Sequence, residues 1–543
     1  MSFDVFDRVI SELGKLKKHP ALRKFIEHNK EVFSSDKRTA RRNPVVLFEL
    51  NSLHSSHIAY SYLANVLTMN NRAQIKGYIR RPHRGLLPRL IRKAIRRNEF
   101  IDYKSFGVDE FIEVALLPAQ NIRAKKIFTE VCGRLNTKRD IEELTLNDVW
   151  VGDLIYDSFL MAYKKPTIDK ESPEFRRFLL ESIELFVFWE DYFDDNDVRA
   201  VNVSHCCYNL AMPLRIAARR NIPAFQATVA HVYRLSSKNL FAYSDFLYFR
   251  ERFAALPPEV RKAGIAEAQR RIERRFAGEV GVDMAYSTKS AYGAPRHVRL
   301  LKESHRTKIL IATHCFFDSP HGYGNNIFPD FYEWLDFLGR MTEVTDYDWY
   351  IKTHPDYLTG TKEIIDDFIT KYPKFTLLPA SASHHQIIAE GIDLALTVHG
   401  TIAFEYAALS IPVINCSLNN PHIAYNFNLH PRSMDEYRNL LLSLDELEFS
   451  INKQDIYEYY FMRYLYNTED LFFDDYKATI KVLGGYYAQF TDAVYEKWLA
   501  EWTSEKHLVI TSALQTYIQS GDFRMDYRHF GREFTMEATG ARA

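Results

Sequence analysis

The chain has 543 residues, more than a single hydrophobic core usually supports, and this length predicts two large α/β units with accessory helices. Hydrophobic residues make up 46% and charged residues 26% of the sequence, the balance of a soluble globular protein rather than of a disordered chain. Lysine plus arginine and aspartate plus glutamate number 70 each, so the overall charge points to no class of partner. Local charge has to decide that question.

The first stretch, MSFDVFDRVISELGKLKK, predicts an amphipathic helix and places two aspartates ahead of any apolar run, unlike a signal peptide. A polar, basic linker follows at 34–43. Since no window is long and uncharged enough for a membrane span, the sequence predicts a cytoplasmic protein. The five cysteines are odd in number and show no CxxC spacing, which favours reduced thiols over disulfides or zinc.

Residues 44–300 predict a first Rossmann-like domain, because short apolar runs alternate with stretches of helical periodicity. The predicted strands are 44–50, 73–79, 200–204 and 222–229, and the predicted helices are 58–69, 174–194 and 210–220, with mixed helices over 108–165. The helix predicted at 174–194 ends in the acidic run EDYFDDND, which has a DxD-like spacing that can hold a metal. Its position at a helix end favours a solvated loop, so no metal site is predicted.

A strongly basic stretch, RRPHRGLLPRLIRKAIRRNEFI at 80–101, interrupts this domain. From Pro88 onward, its apolar residues share one helical face and its basic residues the other, the pattern of a helix that lies on an anionic membrane surface through Arg80 to Arg97. A helix packed on its own domain, or a groove for a polyanionic acceptor, gives the same pattern. Nucleic acid is disfavoured because no aromatic residues are interleaved with the basic ones.

Residues 301–445 predict a second Rossmann-like domain in strict alternation. Its strands are predicted at 308–314, 348–355, 375–379, 394–398 and 412–416, and its helices at 329–341, 361–371, from 384, from 401, and at 433–443. Residues 446–543 are predicted to form C-terminal helices rich in aromatic residues and a disordered tail.

In such sheets, ligands bind outside the carboxyl ends of the strands, so the loops there are candidates to hold the phosphates of a nucleotide. Glycines permit close backbone approach, and Lys352 with His354 forms a cationic pair on one side of a strand. Glu405, one turn into a helix, is placed to reach ribose hydroxyls. The candidate donor-binding residues are His314, Gly322, Gly324, Asn325, Lys352, His354, His399, Gly400, Thr401, Glu405, Asn420 and His422.

The segments IKTHP, LLPASASHHQII and LTVHGTIAFEYAALSIPVI resemble the donor domain of bacterial capsule and surface-polysaccharide glycosyltransferases of GT-B fold. That group includes capsular proteins related to Kdo transferases and, more distantly, CDP-glycerol glycerophosphotransferases. VGDLIYDSFLM and ATHCFFDSPHGYGNN resemble proteins of surface carbohydrate biosynthesis. The resemblance is good over about 308–430. It implies two Rossmann-like domains that face a cleft, and no obligatory metal. It also implies a nucleotide-activated donor held by His354, Gly400, Thr401 and Glu405. The acceptor would be bound mainly by the N-terminal domain.

Glycosyl transfer requires a group that deprotonates the acceptor hydroxyl and a group that stabilises the departing phosphate. Lys352 and His354 are candidates for the second role. Candidates for the first are polar residues at strand ends and in the GDLIYD segment, namely Glu49, His54, His57, Asp153, Asp157 and His205. Histidine suits a general base because its pKa is near neutrality.

The leading interpretation is a glycosyltransferase that adds a sugar to a growing capsule or lipopolysaccharide O-chain at the inner face of the membrane. The nucleotide sugar is a substrate, and no cofactor is expected; the acceptor is lipid-linked or an oligosaccharide. Three alternatives remain open. They are a CDP-glycerol-type polyol phosphotransferase, a GT-B-fold nucleotide-sugar 2-epimerase that needs no acceptor, and a non-catalytic glycan-assembly protein.

Overall fold

The computed structural model describes residues 20–33, 44–78, 100–284, 289–293, 298–354 and 360–536. The predicted N-terminal helix, the linker at 34–43, the basic stretch from Arg80 to Arg97 and the tail at 537–543 lie outside these residues. The described residues form two compact units, each with its own mainly parallel sheet. The predicted α/β class, with two Rossmann-like sheets, is therefore confirmed.

Strands and helices alternate along both units. The strands are β1 (Val45–Glu49), β2 (Gln74–Tyr78), β3 (Val108–Ile112), β4 (Thr145–Leu146), β5 (Val149–Trp150), β6 (Val198–Val203), β7 (Ala224–Ala227), β8 (Val232–Leu235), β9 (Lys308–Ala312), β10 (Asp348–Lys352), β11 (Phe375–Leu377), β12 (Leu394–Thr397) and β13 (Val413–Asn415). The α-helices are Pro20–Val32, His54–Asn71, Ile101–Ser105, Pro118–Cys132, Lys138–Glu142, Gly152–Tyr163, Pro173–Asp195, Met212–Arg219, Phe249–Ala254, Pro258–Phe276, Phe331–Met341, Thr361–Lys371, His384–Ala389, Ile402–Ala408, Met434–Leu442, Lys453–Tyr460, Tyr476–Val482, Ala493–Glu501 and Ser504–Ser520.

Unit 1 consists of the described parts of residues 1–130, 180–242 and 468–534. Its sheet has the strand order β3-β2-β1-β6-β7-β8, parallel except for the antiparallel pair β7 and β8. From β1 the chain adds strands first on one side and then, from β6, on the other. The order therefore reverses between β1 and β6, which makes the crevice at their carboxyl ends the expected ligand site of this sheet.

The two edge strands of unit 1, β3 and β8, were not predicted. The residues of β3 between its buried ends are Asp109, Glu110 and the partly buried Phe111, so the strand lacks the continuous apolar run typical of a central parallel strand. An edge strand needs only one covered side, and its sequence signal is correspondingly weak.

Unit 2 consists of residues 131–179 and 243–467 with a short C-terminal piece, again in their described parts. Its five-stranded sheet is entirely parallel, with the order β11-β10-β9-β12-β13. Each strand and helix predicted over 301–445 is present. The strand order reverses between β9 and β12, which places the expected ligand site of this unit at the carboxyl ends of β9, β10 and β12.

The units are not continuous in sequence, whereas the predicted domains were. Residues 131–179 and 243–300 belong to unit 2, and residues 468–534 belong to unit 1. In unit 1, Trp498 and Leu514 are buried in the same core as the helix that follows β1. An amphipathic helix must bury its apolar face, but its sequence does not say against which layer, and this is why the predicted boundaries differ.

No helix within the described ranges is long and apolar enough to cross a lipid bilayer.

Candidate functional site

An open cavity with an empty volume of about 850 Å³ lies at the point of unit 2 where the strand order reverses. Its wall is built from the ends of three neighbouring strands: 312–314 after β9, 352–354 at β10, and the turn and helix that follow β12. Residues 289–292 and Arg275 complete it. The cavity is open, so this volume includes solvent space in front of its wall.

Six of the twelve predicted donor-binding residues line this cavity. They are His314, Lys352, His354, Gly400, Thr401 and Glu405. They come together because β9, β10 and β12 are hydrogen-bonded neighbours, so that loops distant in sequence meet at one edge of the sheet. The roles proposed for them from the sequence stay predictions.

Lys352 is the most informative of the six, because it brings a positive charge into the interior. Its side chain is only 3% exposed, and its ammonium donates to the carbonyl of Ala380 at 3.2 Å. Burial lowers the pKa of Lys352 to about 8, while the charge of Glu405 acts in the opposite direction. Within the part of the chain that the structure describes, no carboxylate forms an ion pair with Lys352. A buried cation with only a neutral partner favours an anionic ligand.

Glu405 does have a partner, because its carboxylate holds Arg275 in place. Glu405 Oε1 accepts from the Arg275 guanidinium at 2.6 Å, and Oε2 accepts from the Tyr292 hydroxyl at 2.7 Å. Burial alone would lower the pKa of Arg275, but the charge of Glu405 raises it above its usual value. Burial and the charge of Glu405 raise the pKa of Tyr292. The carboxylate of Glu405, which was predicted to reach a ribose, thus already accepts hydrogen bonds from Arg275 and Tyr292.

Two neutral histidines form the polar floor of the cavity. Nε2 of His314 accepts from the backbone N–H groups of Val398 and His399 at 3.3 and 3.4 Å, which leaves the ring proton on Nδ1. Burial, followed by the charges of neighbouring histidines, lowers the pKa of His314 well below its usual value. Nδ1 of His384 lies 2.7 Å from the Tyr406 hydroxyl, and burial and then Lys352 lower the pKa of His384 in the same way.

Gly400 is required by the turn after β12. A Cβ atom there would lie 2.8 Å from Oγ1 of Thr397, which accepts the Gly400 N–H at 3.2 Å. Thr401 precedes the helix Ile402–Ala408, and its side chain makes no capping hydrogen bond. That helix has only seven residues, so Lys352 contributes more positive charge to the cavity than the helix dipole does.

Three further candidates in the loop after β9 shape that loop instead of lining the cavity. The N–H of Gly322 donates to the Ser319 carbonyl and that of Gly324 to the His321 carbonyl, both at 2.9 Å. Gly324 has a φ of 114°, which favours glycine. The backbone carbonyl of Asn325 accepts from the Asn419 side chain at 2.9 Å, so it ties this loop to the loop after β13.

His399, Asn420 and His422 also lie outside the cavity lining. The ring of His399 packs against that of His314, with 4.6 Å between centroids, and burial lowers the pKa of His399 to about 4. The side chain of Asn420 accepts from the His422 N–H at 3.0 Å, and His422 is 1% exposed with its ring 4.7 Å from that of Tyr459. These residues do follow the ends of strands, as predicted. Whether their side chains line the cavity depends on how the loops pack, which the sequence does not show.

Asp153 and Asp157, two candidates for the catalytic base, lie on a helix of unit 2 with exposures of 2% and 1%. Asp157 is 2.6 Å from Nδ1 of His321 and accepts from its N–H at 3.3 Å. His321 is also 3.3 Å from Glu142. Burial would lower the pKa of His321, but these two carboxylates raise it well above its usual value. This arrangement gives Asp157 a structural ion pair rather than access to a substrate.

The remaining base candidates lie in unit 1. Glu49 ends β1, and its Oε2 accepts from the hydroxyl of Ser204, the residue after β6, at 2.7 Å. Nδ1 of the adjacent His205 is 3.0 Å from the same Ser204 oxygen. The structure therefore joins Glu49 and His205 through a serine that the sequence analysis did not single out.

His54 and His57 lie at the start of the helix after β1 and contact other side chains. Nδ1 of His57 is 2.5 Å from the Tyr495 hydroxyl, and Nε2 is 3.0 Å from the Asn51 carbonyl. His57 is 2% exposed. Nδ1 of His54 is 3.2 Å from Asp492, and the ring stacks on that of Tyr495.

Arg275, Tyr292 and His384 are cavity residues that were not predicted as site residues. For Arg275 the sequence held a signal: Gly264, Ala268 and Ile272 form the buried stripe of the helix Pro258–Phe276, and the stripe continues to Arg275. By itself, the run RRIERRF predicts a solvent-exposed helical face. Only the periodicity of the buried residues before it indicates that Arg275 lies on the buried face. For Tyr292 and His384 the sequence held no such signal. They belong to other segments of the chain, and only the folding of these segments places them at the cavity.

No family model matches this chain, and no curated protein matches it in sequence. A search of solved structures finds similar chains, three of which follow. The Thermosulfurimonas dismutans KpsC β-Kdo 2,4-transferase is 11% identical, with 48% of this chain and 79% of that chain covered and a TM-score of 0.30. UDP-GlcNAc 2-epimerase from Neisseria meningitidis is 10% identical, with 78% and 96% covered and a TM-score of 0.19. MurG from Acinetobacter baumannii is 10% identical, with 77% and 94% covered and a TM-score of 0.20.

At these TM-scores the likeness assigns no role to any residue of this chain.

Proposed function

We propose that this chain is a glycosyltransferase. Unit 2 binds a nucleotide-activated sugar, and the sugar passes to a lipid-linked or oligosaccharide acceptor of a growing surface glycan, a capsule or lipopolysaccharide O-chain. The observation that carries the proposal is the buried ammonium of Lys352 at the cavity where the strand order of unit 2 reverses. A phosphate of the donor is an anion that can pair with this ammonium.

The electrostatics of the cavity support a phosphate ligand. His314 and His384 are neutral near pH 7, since burial lowers their pKa values. Arg275 is neutralised by Glu405, which leaves Lys352 as the buried charge that an incoming anion can pair with. In the transition state of glycosyl transfer, negative charge develops on the leaving phosphate, so a fixed cation here stabilises it more than the ground state.

A panel of donors tests the proposal. The purified chain is incubated with CMP-, UDP-, GDP- and CDP-activated sugars and polyols, with and without Mg²⁺ and an acceptor extract, and consumption of each donor is measured. Acceptor-dependent loss of one nucleotide sugar is expected. Consumption of CDP-glycerol would identify a polyol phosphotransferase, and turnover of a nucleotide sugar without any acceptor would identify an epimerase. No turnover of any donor would favour the non-catalytic alternative, and each of these results contradicts the proposal.

The pH dependence of nucleotide affinity follows from the pKa of Lys352. Because this pKa is about 8, Lys352 is a cation below pH 8 and neutral above it. We expect the affinity for the nucleoside diphosphate to fall above about pH 8, by at most about tenfold per pH unit, as one proton must be taken up on binding. Isothermal titration calorimetry measures this.

The charged and titratable groups around Lys352 are Glu405, Arg275, His384 and His354. Burial keeps His384 neutral over this pH range, and Glu405 and Arg275 are paired, so the fall is expected to reflect Lys352. In Lys352→Arg, whose guanidinium stays charged, the fall above pH 8 should disappear. An identical fall in both proteins would contradict the assignment to Lys352.

A further inference from the structure

The cavity of unit 2 contains two imidazole rings besides the ammonium of Lys352. His314 follows β9, His384 begins the helix His384–Ala389, and both line the cavity. Burial and then the charge of Lys352 lower the pKa of His384, so this ring lies within electrostatic range of the ammonium. Both rings are neutral near pH 7, and a neutral imidazole has one N–H donor and one bare nitrogen. The position of the proton therefore decides what each ring offers a ligand.

The contacts of His314 leave its Nε2 without a proton. The backbone N–H groups of Val398 and His399 donate to this nitrogen at 3.3 and 3.4 Å. Oγ1 of Thr397, which accepts the Gly400 N–H, lies 3.1 Å from the same nitrogen and can donate its hydroxyl proton to it. Because a backbone N–H can only donate, neutral His314 carries its proton on Nδ1.

His384 is held in the opposite tautomer. Its Nδ1 lies 2.7 Å from the hydroxyl of Tyr406, a side chain with 0% exposure. Among the residues that the structure describes, Nδ1 of His384 is the one hydrogen-bond partner of this hydroxyl. A proton on Nδ1 would leave the buried phenolic proton without an acceptor, which is costly. Tyr406 therefore donates to Nδ1, and neutral His384 carries its proton on Nε2.

Further contacts within unit 2 fix the ring of His384. Its backbone N–H donates to the Ala291 carbonyl at 3.0 Å. The ring lies 5.4 Å from that of Tyr292 between centroids and stands edge-on to that of Tyr406 at 5.3 Å. Because Nδ1 is turned to Tyr406, the nitrogen that this cavity residue offers a ligand is Nε2. A donor held in this way costs little conformational entropy when a ligand binds.

The cavity thus offers three N–H donor groups, of which only Lys352 is a free charge. Arg275, the other cation of the wall, is paired with Glu405. Two neutral donors add hydrogen bonds without the desolvation cost of further buried charges. A phosphate group has several acceptor oxygens around one atom and can use all three donors, whereas a carboxylate presents two oxygens in one plane.

We propose that a phosphate group of the donor is bound by His314 through Nδ1–H and by His384 through Nε2–H, in addition to Lys352, with Tyr406 as the positioning residue of His384. This inference deepens the proposed function and rests on it, because the phosphate is that of the nucleotide-activated sugar. Both rings act as neutral hydrogen-bond donors and exchange no proton with the ligand.

The two tautomers are tested first, by long-range ¹H–¹⁵N NMR on the full chain labelled at histidine. The signals are identified by their loss in His314→Asn and His384→Gln. His314 is expected to show Nδ1–H, the minor form in free imidazole side chains, and His384 to show Nε2–H.

Tyr406→Phe tests the positioning role. It removes the hydrogen bond donated to Nδ1 of His384, so the ¹⁵N signal of this nitrogen should move downfield. The matched control is Tyr437→Phe, because Tyr437 is also fully buried in unit 2 and its hydroxyl accepts from the Trp334 side chain at 3.0 Å. This control should leave the signals of His384 unchanged.

Calorimetric binding of CMP, UDP, GDP, CDP and inorganic phosphate tests the contacts to the ligand. We expect His314→Leu and His384→Leu each to weaken binding by about tenfold or more, since each removes a hydrogen bond to a charged group. His314→Asn places an amide N–H near the position of Nδ1, and His384→Gln places one near that of Nε2, so both should recover most of the affinity. The control is His430→Leu: burial lowers the pKa of His430 to about 4, so it is also neutral, and it does not line the cavity. This control should bind like wild type.

A titration of wild type followed by NMR provides a readout that needs no substitution, should a leucine variant not fold. The N–H protons of His314 and His384 should both move downfield when the nucleotide or inorganic phosphate is added, because a hydrogen bond to an anion is stronger than one to water.

The readouts separate failure of this inference from failure of the proposed function. A proton on Nε2 of His314 or on Nδ1 of His384 overturns the inference, and so does a nucleotide that binds equally well to wild type and to both leucine variants. In that last case the proposed function is untouched. Binding of inorganic phosphate but of no nucleotide keeps the phosphate contacts and overturns the nucleotide donor. Absence of binding by any of the five ligands overturns both.

Discussion

Replacing Lys352 by methionine is expected to weaken the binding of the nucleoside diphosphate by about 10- to 150-fold. A hydrogen bond to a charged group contributes about 1.5–3 kcal/mol, and the variant removes the ammonium while keeping a side chain of similar length. The unliganded variant should also unfold at a higher temperature, because the charged form of Lys352 is disfavoured by burial in the native state. Calorimetric binding and thermal unfolding without ligand measure the two effects.

Lys308→Met is the matched control. Lys308 is also a buried lysine of the same sheet, 9% exposed, and its ammonium also donates to a backbone carbonyl, that of Ser304 at 3.1 Å. It begins β9, so it lies at the amino edge of the sheet, whereas Lys352 ends β10 at the carboxyl edge. Lys308→Met should leave nucleotide affinity unchanged. Equal losses in both variants, or none in either, would show that the phosphate does not bind at Lys352.

Glu405→Gln is expected to destabilise unit 2 by about 3–5 kcal/mol, because removing one charge of a buried pair leaves the other uncompensated. The charge left behind is that of Arg275, whose side chain is only 14% exposed. The expected fall in Tm is about 5–10 °C, measured by differential scanning calorimetry on the full chain.

The comparison for Glu405 is Glu279→Gln. Glu279 also lines the cavity and also pairs with an arginine of the helix Pro258–Phe276, in this case Arg274, but the two side chains are 42% and 37% exposed. An exposed pair contributes about 0–1 kcal/mol, so this variant should unfold close to wild type. The double variant Arg275→Met/Glu405→Leu, which removes both buried charges, should recover much of the loss. If Glu405→Gln is no less stable than Glu279→Gln, the ion pair with Arg275 does not stabilise the cavity wall.

The sequence was most informative where the chain alternates regularly. Over 301–445, strands were predicted at positions such as 348–355 and 394–398, and the structure has the strands Asp348–Lys352 and Leu394–Thr397 there. Because parallel strands share one carboxyl edge, Lys352, His314 and Gly400 were expected near each other, and they line one cavity.

The sequence was least informative about the surroundings of residues whose contacts lie far away in the chain. Whether Asp157 faces a substrate or a buried histidine depends on His321, which is 164 residues away. His422 was expected near the nucleotide, but it packs in an aromatic cluster that includes Tyr459. Periodicity reports the face on which a side chain lies and carries no information about which other segment covers that face.

What the amino-acid sequence determined by itself is the alternation of strands and helices, and with it the set of polar residues that follow buried strands. What only the tertiary structure decided is which polar residues meet: Arg275 with Glu405, and Glu49 with Ser204 and His205. The physical reason is that strand and helix formation depend on local periodicity, whereas the pairing of buried charges depends on strand order and on contacts between segments far apart in the chain.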